Sequence, residues 1–222
     1  QTANAFNQMR TRIKRFLKQR TEMLAGVSHD LRTPLTRMKL QISLMKDEKA
    51  KSELEVDVNE MTSMLDSYVS FVKTESPEPI ETIIINELIG DIVKTVEKNG
   101  VELTIKEKNT IQTSVRQIQL KRAFNNIIDN SKRYANKIEI ILYTNEKDCV
   151  IEFNDDGEGI PRDKYEDVFK PFFTLDPSRN KLKGESGLGL TITRDIIRSH
   201  GGDVKLSDSN LGGLQLKVLL PL

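Results

Sequence analysis

The residues that first invite a chemical reading surround His29, in the segment Ser28-His29-Asp30-Leu31-Arg32-Thr33-Pro34-Leu35. A neutral imidazole nitrogen is a good nucleophile toward phosphorus near pH 7. Asp30 stands next to it and could accept or orient the ring proton, while Thr33, four residues on, falls on a neighbouring part of the same helical face. At roughly 100° per residue, His29 points about 140° away from the direction of Leu24 and Leu31, which places it on the wet side of its helix. A lone exposed His-Asp pair is equally what a solvated surface looks like. Pro34 adds weight, because inside a helix it removes the hydrogen bond to the carbonyl of Asp30 and crowds it, at about 3 kcal/mol. A bend one turn after an exposed histidine is expected of a helix that flexes where chemistry occurs.

Three further segments complement one another. The first, Asn125-Asn126-Ile127-Ile128-Asp129-Asn130-Ser131-Lys132-Arg133-Tyr134, reads as helical. Asn126 and Asn130 are four apart and share a face with Arg133. An amide oxygen suits Mg²⁺, a neighbouring cation suits phosphate, and Tyr134 can stack on a base. The second, Asp155-Asp156-Gly157-Glu158-Gly159-Ile160, follows a strand directly. Glycines there admit a ligand close to the backbone, and a carboxylate can accept a hydrogen bond from an exocyclic amine such as that of adenine. Read alone, it is as readily a tight turn. The third, Gly184-Glu185-Ser186-Gly187-Leu188-Gly189-Leu190, opens a helix, where free N–H groups make an anion site. The polar stretch before it, from Thr174 to Lys183, carries Arg179, Lys181 and Lys183 and reads as a lid over phosphates, hinged by Phe169, Phe172 and Phe173. At least one of these phenylalanines is expected to be a simple core residue.

The elements that must position these groups fall into two parts. From Leu24 the apolar residues Val27, Leu31, Leu35, Met38, Ile42 and Met45 follow at steps of three and four, and Leu54, Val58, Met61, Leu65, Tyr68 and Val72 repeat the pattern. Residues 46–50 lack apolar side chains and read as the turn between two antiparallel helices. A hairpin covers only part of each apolar stripe, so pairing of two copies into a four-helix bundle is expected, with packing onto the chain's own C-terminal part as the alternative. After the polar linker 75–79, strands are expected at 80–85, 101–105, 138–143, 150–153, 203–206 and 214–219. Helices are expected at 87–97, 116–134 and 188–199. This is an α/β two-layer sandwich with a mostly antiparallel or mixed sheet, which makes the whole chain α+β. The 222 residues are enough for two domains. The 34 Lys and Arg are interleaved with 33 Asp and Glu, which gives no electrostatic reason to expect nucleic acid. Cys149 is the single cysteine and reads as a small apolar residue in a buried strand; it excludes an internal disulfide. No apolar run approaches the length needed to span a bilayer, and Ala5-Phe6-Asn7-Gln8-Met9 reads as the middle of a helix with no cap before it, as in a fragment of a longer protein.

With these motifs in this order, the chain resembles the transmitter region of sensor histidine kinases: a dimerisation and phosphoacceptor domain followed by a Bergerat-type ATP-binding domain. Across Ala25-Gly26-Val27-Ser28-His29-Asp30-Leu31-Arg32-Thr33-Pro34-Leu35-Thr36-Arg37 it looks most like the osmosensing EnvZ subgroup. The resemblance implies the end of a HAMP signalling helix over 1–20, a phosphotransfer hairpin over 21–76 and an ATP-binding domain over 80–222. It implies His29 as phosphoacceptor, Asp30 as its acid–base partner and Thr33 as the residue that positions water for phosphatase action on a response regulator, OmpR-like in kind. It implies Mg²⁺ on Asn130 with Asn126 in support, phosphates at Arg133 and Arg179, and adenine facing Tyr134 and read by Asp155. Gly157, Gly159, Gly187 and Gly189 would shape the ATP pocket, with Ile160, Thr174, Ser186, Leu188 and Leu190 completing its lining. Glu185 stands where the family commonly has glycine, and Asp156 where it often has asparagine. Hydrolytic relatives, of the gyrase and Hsp90 types, carry a water-activating glutamate one turn before the metal-binding asparagine. Here that position is Asn126, which cannot act as a general base. The alternative of a different class is a non-catalytic dimeric scaffold that binds nucleotide only to set its conformation.

Overall fold

The computed structural model describes residues 2–72, 78–96, 101–175 and 187–222, with some helical side chains, those of Leu24 and His29 among them, outside the description. The chain divides into two compact units, one ending at Ser76 and the other beginning at Pro77.

The first unit is a helical hairpin of α1 (Thr2–Ser43) and α2 (Glu48–Val72). Helix α1 runs through Pro34 as one element. The turn is tighter and earlier than the composition of residues 46–50 implies. Asp47 Oδ1 accepts the N–H groups of Lys49 and Ala50 at 3.1 and 3.2 Å, so those two residues already belong to the first turn of α2. The polar run Lys46 to Lys49 thus leads into a capped helix start, not a loop. Leu35, Ile42 and Val58 form the buried core, with Met45 and Leu65 packed against it. The rest of the seam stays open in one chain: Leu31 is 48% exposed and Met61 52%, and Val27, Met38 and Leu54 are exposed with them.

The second unit contains β1 (Glu81–Ile84), α3 (Ile85–Val96), β2 (Glu102–Glu107), β3 (Gln112–Val115), α4 (Gln117–Tyr134), β4 (Lys137–Thr144) and β5 (Asp148–Asp155). Two 3₁₀ turns follow, then α5 (Gly189–Ser199), β6 (Asp203–Asp208) and β7 (Leu214–Pro221). Five strands form one mixed sheet in the order β2-β4-β5-β7-β6, with β2 parallel to β4 and the other pairs antiparallel. Strand β3, absent from the sequence expectation, pairs with β1 in a separate two-stranded ribbon. The period-2 pattern decides which sheet face is covered. Ile138, Ile140 and Leu142 of β4, Ile151 and Phe153 of β5, and Leu216 and Val218 of β7 are all buried on one face. Helix α4 lays Leu120, Ala123, Phe124, Ile127 and Ile128 into this core, where the Phe124 and Phe153 ring centroids lie 5.7 Å apart. The opposite face is mixed: Glu139, Asn154 and Gln215 pair across it in one row, Ile141, Glu152 and Lys217 in the next, and Val150 is buried on it beside Tyr143. Cys149 is buried in β5, and burial pushes its thiol up to about 12, so it packs as a small apolar residue.

Candidate functional site

The fold brings the first two nucleotide-type segments together with Gly187 to Leu190, the described part of the third, in the second unit. The buried stripe of α4 recurs at steps of three and four and ends at Ser131, which leaves Asn126 and Asn130 half-buried at its margin. Asn126 Nδ2 donates to the Gly189 carbonyl at 3.3 Å, joining α4 to the first turn of α5; the Thr193 hydroxyl reaches the same carbonyl at 2.9 Å. Among the described residues the Asn130 side chain makes no hydrogen bond, so its amide oxygen is uncommitted. Arg133 and Tyr134 close the helix and are exposed.

Asp155 sits at the end of β5, 4% exposed, and is the fastening point of the site. Its Oδ1 accepts the N–H of Gly157 at 3.1 Å and of Leu214 at 2.9 Å, and its Oδ2 accepts the Ser131 hydroxyl at 3.0 Å. The Gly213 N–H reaches the Asp155 carbonyl at 3.1 Å. An ionised carboxylate oxygen takes about two hydrogen bonds, so Oδ2 can accept one more. Gly157 is needed for close approach: a Cβ there would stand 3.0 Å from the Tyr134 carbonyl oxygen and 3.2 Å from Asp155 Oδ1. Gly159, with φ +69°, occupies the left-handed region. Half-buried Ile160 follows it. Asp156 turns the other way, accepting the N–H groups of Asn136 and Lys137 at 2.8 and 2.9 Å. The Lys137 N–H holds its carboxyl below the usual range.

Ser131, Gly213 and Leu214 belong to this arrangement and were not among the expected site residues. The available signal was the double glycine Gly212-Gly213 immediately before an alternating strand. A Cβ on Gly213 would fall onto Asp155 Oδ1, the Asp155 carbonyl and the Gly157 nitrogen. Gly213→Ala is therefore expected to lower stability by about 3 kcal/mol and to weaken nucleotide binding strongly. Gly212→Ala meets open space, though at φ +102°, and should cost about 1 kcal/mol of backbone strain while leaving affinity unchanged. Urea unfolding and titration calorimetry of the two variants check both statements.

The third segment is anchored at its two ends. Phe172 adopts φ +63° and donates its N–H to the Gly187 carbonyl at 3.0 Å. Gly187 itself has φ +63°, and a Cβ there would lie 2.8 Å from the Phe172 backbone. Phe169 is a core residue, under the Arg194 guanidinium at 4.5 Å, whereas Phe172 is exposed and Phe173 and Thr174 are half-buried. Arg179, Lys181, Lys183, Gly184, Glu185 and Ser186 lie outside the described residues. Helix α5 then starts at Gly189, behind buried Leu188 and followed by half-buried Leu190. Among the described residues no side chain caps its N-terminus. Its first N–H groups therefore suit an anion. With the uncommitted oxygen of Asn130, this donor set fits a magnesium-bound polyphosphate.

In the helical unit, residues Ser28 to Leu35 lie within α1. Asp30 and Thr33 are exposed and Ser28 is buried, 3% exposed. The imidazole of His29 lies outside the described side chains, so the expected wet-face orientation does too. Leu31, expected to mark the buried direction, is itself open in a single chain.

Comparison with known proteins agrees with this geometry. The phospho-acceptor domain family His Kinase A matches residues 19–76, and the family described as histidine kinase-, DNA gyrase B- and HSP90-like ATPase matches 115–222. Sensor histidine kinase GtrS of Pseudomonas aeruginosa is 32% identical over 223 residues, covering 100% of this chain and 46% of GtrS. Sensor histidine kinase CpxA of Escherichia coli K12 is 32% identical, covering 98% of this chain and 50% of CpxA. The chain thus spans about half the length of the curated relatives it matches. Among solved structures, the mycobacterial sensor histidine kinase MprB covers 64% of this chain and 97% of its own, with TM-score 0.57 at 24% identity. Full-length ShkA in complex with AMPPNP covers 90% of this chain and 46% of its own, with TM-score 0.68 at 16% identity; these two likenesses speak to the fold. No helix among the described residues is long and apolar enough to cross a membrane. A phospho-acceptor hairpin joined to a fastened ATP-binding sandwich places this chain in the sensor histidine kinase family, as its transmitter region.

Proposed function

We propose that this chain uses ATP to phosphorylate His29, transfers the phosphoryl group to an aspartate of a response-regulator receiver domain, and dephosphorylates that regulator. One structural observation carries the choice of transfer over hydrolysis. Asn126 occupies the position from which a hydrolytic relative activates water, and its amide is spent on the Gly189 carbonyl. An amide so placed has no proton-accepting role, and the chain supplies an imidazole acceptor upstream.

In this reading, Asp155 fixes the adenine through the free acceptor site on Oδ2, and Tyr134 covers the base. The first turn of α5, with Gly187 and Gly189, cradles the phosphates, and Arg133 and Arg179 neutralise them. Mg²⁺ bound through Asn130 supplies further charge neutralisation. Ile160, Thr174, Ser186, Leu188 and Leu190 complete the pocket wall. The neutral nitrogen of His29 attacks the γ-phosphorus, an N–P bond forms, the bond to the bridging oxygen breaks, and ADP leaves. Asp30 accepts or orients the ring proton, and Thr33, exposed on the same stretch of α1, positions water for the opposing reaction, hydrolysis of the regulator's aspartyl phosphate to inorganic phosphate.

We assign residues 1–20 to the end of a HAMP helix, 21–76 to the dimerisation and phosphotransfer hairpin, and 80–222 to the ATP-binding domain. The apolar residues left open on one hairpin support a homodimeric four-helix bundle. The EnvZ-like segment around His29 supports an OmpR-like regulator as partner and a cytoplasmic position in a protein held in the bacterial inner membrane by other segments. Incubation of the chain with Mg²⁺ and γ-labelled ATP is expected to give label that is lost in acid and survives alkali, as a phosphoramidate does. ADP production with no label on the protein rejects transfer in favour of hydrolysis. Nucleotide binding with neither product supports a signalling scaffold instead.

A further inference from the structure

Helix α4 bears the nucleotide residues but has no cap of its own. Its N-cap position is Arg116, whose side chain makes no capping bond, and the first turn carries no acidic residue. The free N–H groups of that turn must still find acceptors. They find them far away in sequence. Glu78 takes two: its Oε1 accepts the N–H of Ile118, and its Oε2 that of Gln119 at 3.1 Å. The third acceptor is His200, whose Nε2 takes the Arg116 N–H at 2.9 Å. The other ring nitrogen, Nδ1, lies 2.8 Å from the Ile196 carbonyl, which can only accept. Nδ1 therefore carries the proton and Nε2 the lone pair. Burial lowers the pKa of His200, which favours this neutral form.

We propose that Glu78 is a positioning residue for the nucleotide site, acting through α4. The helix has 18 residues, so it is about 27 Å long and stiff. Asn126, Asn130, Arg133 and Tyr134 lie on its second half, and its far end is tied to the sheet by the Ser131–Asp155 bond. Buried Leu120 and Phe124 seat its first half on the core, and the Glu78 bonds fix where it starts, so it presents Asn130 and Arg133 at a fixed distance from Asp155. The Glu78 carboxylate also lies where the helix dipole favours negative charge, which strengthens those bonds. Glu78 is the second residue of the sheet-bearing unit, which begins at Pro77. The chain's entry into this unit and the cap of its nucleotide helix thus lie at the same point of the sequence. This inference rests on the nucleotide reading of α4.

The test compares the complete chain with Glu78→Ala and Glu78→Gln, at a temperature well below the unfolding midpoint of each. Mg·ADP affinity is read by calorimetry, and KM for ATP and kcat by autophosphorylation. Glu78→Ala is expected to weaken Mg·ADP binding and raise KM about tenfold, the equilibrium equivalent of one lost charged cap, with kcat within about twofold of wild type. Glu78→Gln keeps one acceptor oxygen and should recover affinity to within about threefold of wild type; it carries the test alone if the alanine variant does not fold. A lowered unfolding midpoint with unchanged affinity and KM in both variants makes Glu78 a stability residue only and overturns the proposal. Wild-type chain that binds no Mg·ADP removes the nucleotide reading itself, and this inference falls with it.

Discussion

His29→Ala is expected to leave nucleotide binding at the wild-type level and to abolish acid-labile phosphate on the protein. The substitution suits the question because it acts on chemistry and spares the scaffold. His29 lies deep inside α1, fourteen residues before the helix ends at Ser43, and alanine is the best helix former, so the stem is kept. The described residues of the proposed ATP site, from Asn126 to Tyr134, Asp155 to Ile160 and Gly187 to Leu190, lie in the other compact unit and have no reason to change. What disappears is the one imidazole placed among Ser28, Asp30 and Thr33; the only other histidine, His200, has both ring nitrogens engaged, Nε2 at the cap of α4 and Nδ1 at the Ile196 carbonyl of α5. The bond type separates the outcomes. A phosphoramidate on imidazole breaks in acid, whereas phosphate esters on serine, threonine or tyrosine persist. Label that remains acid-labile in the variant places the acceptor elsewhere and ends the assignment of His29. Acid-stable label in both proteins says that a hydroxyl is the acceptor. Equal Mg·ADP affinity in wild type and variant is the control that lost label reflects a lost acceptor.

How much of this could be read from the sequence depended on whether a feature is local. Helices α3, α4 and α5 and the long strands β4, β5 and β7 were legible because each buries a face, and burial of a face imposes a period. Strand β3 was not: Gln112-Thr113-Ser114-Val115 has one strongly apolar residue, and its partner β1 lies thirty residues earlier. The hairpin turn was misplaced because a capped, solvated helix start and a loop share the same composition, and only the Asp47 bonds tell them apart. In the stem, periodicity marked the apolar stripe correctly but could not say which part a single chain covers; Leu35, Ile42 and Val58 are enclosed while Leu31 and Met61 are not. The site follows the same rule. Asp155 and its glycines stood out as a short motif, yet the groups that hold the carboxylate, Ser131 and the Gly213-Leu214 backbone, are 24 and about 59 residues distant. Asn126, expected in support of the metal, also donates to the Gly189 carbonyl at the start of α5, a contact no spacing announces.

In the proposed reading Asp155 does two jobs that substitution can separate. As a fastener it accepts Ser131, Gly157 and Leu214; as a reader it offers the remaining acceptor site on Oδ2. Asp155→Ala removes both, leaving three buried or half-buried donors without their acceptor at about 1–3 kcal/mol each, not additively. A loss of roughly 3 kcal/mol in stability is expected, together with loss of nucleotide binding. Asp155→Asn keeps the shape. Its amide oxygen can still accept from Gly157 and Leu214, and its NH₂ group can donate to the Ser131 hydroxyl, which rotates to accept; the stability cost should be about 1 kcal/mol. The NH₂ group now faces the exocyclic amine of adenine, donor against donor, and affinity for Mg·ADP should fall about 100-fold. A purine with a 6-oxo group presents an acceptor at that place, so Mg·IDP should bind the asparagine variant better than Mg·ADP does, reversing the wild-type preference. Calorimetry with the two nucleotides decides it. If the asparagine variant keeps the wild-type order and affinity, the carboxylate fastens the turn and reads nothing, and the adenine must be recognised by the backbone around Gly157 and Gly213 instead.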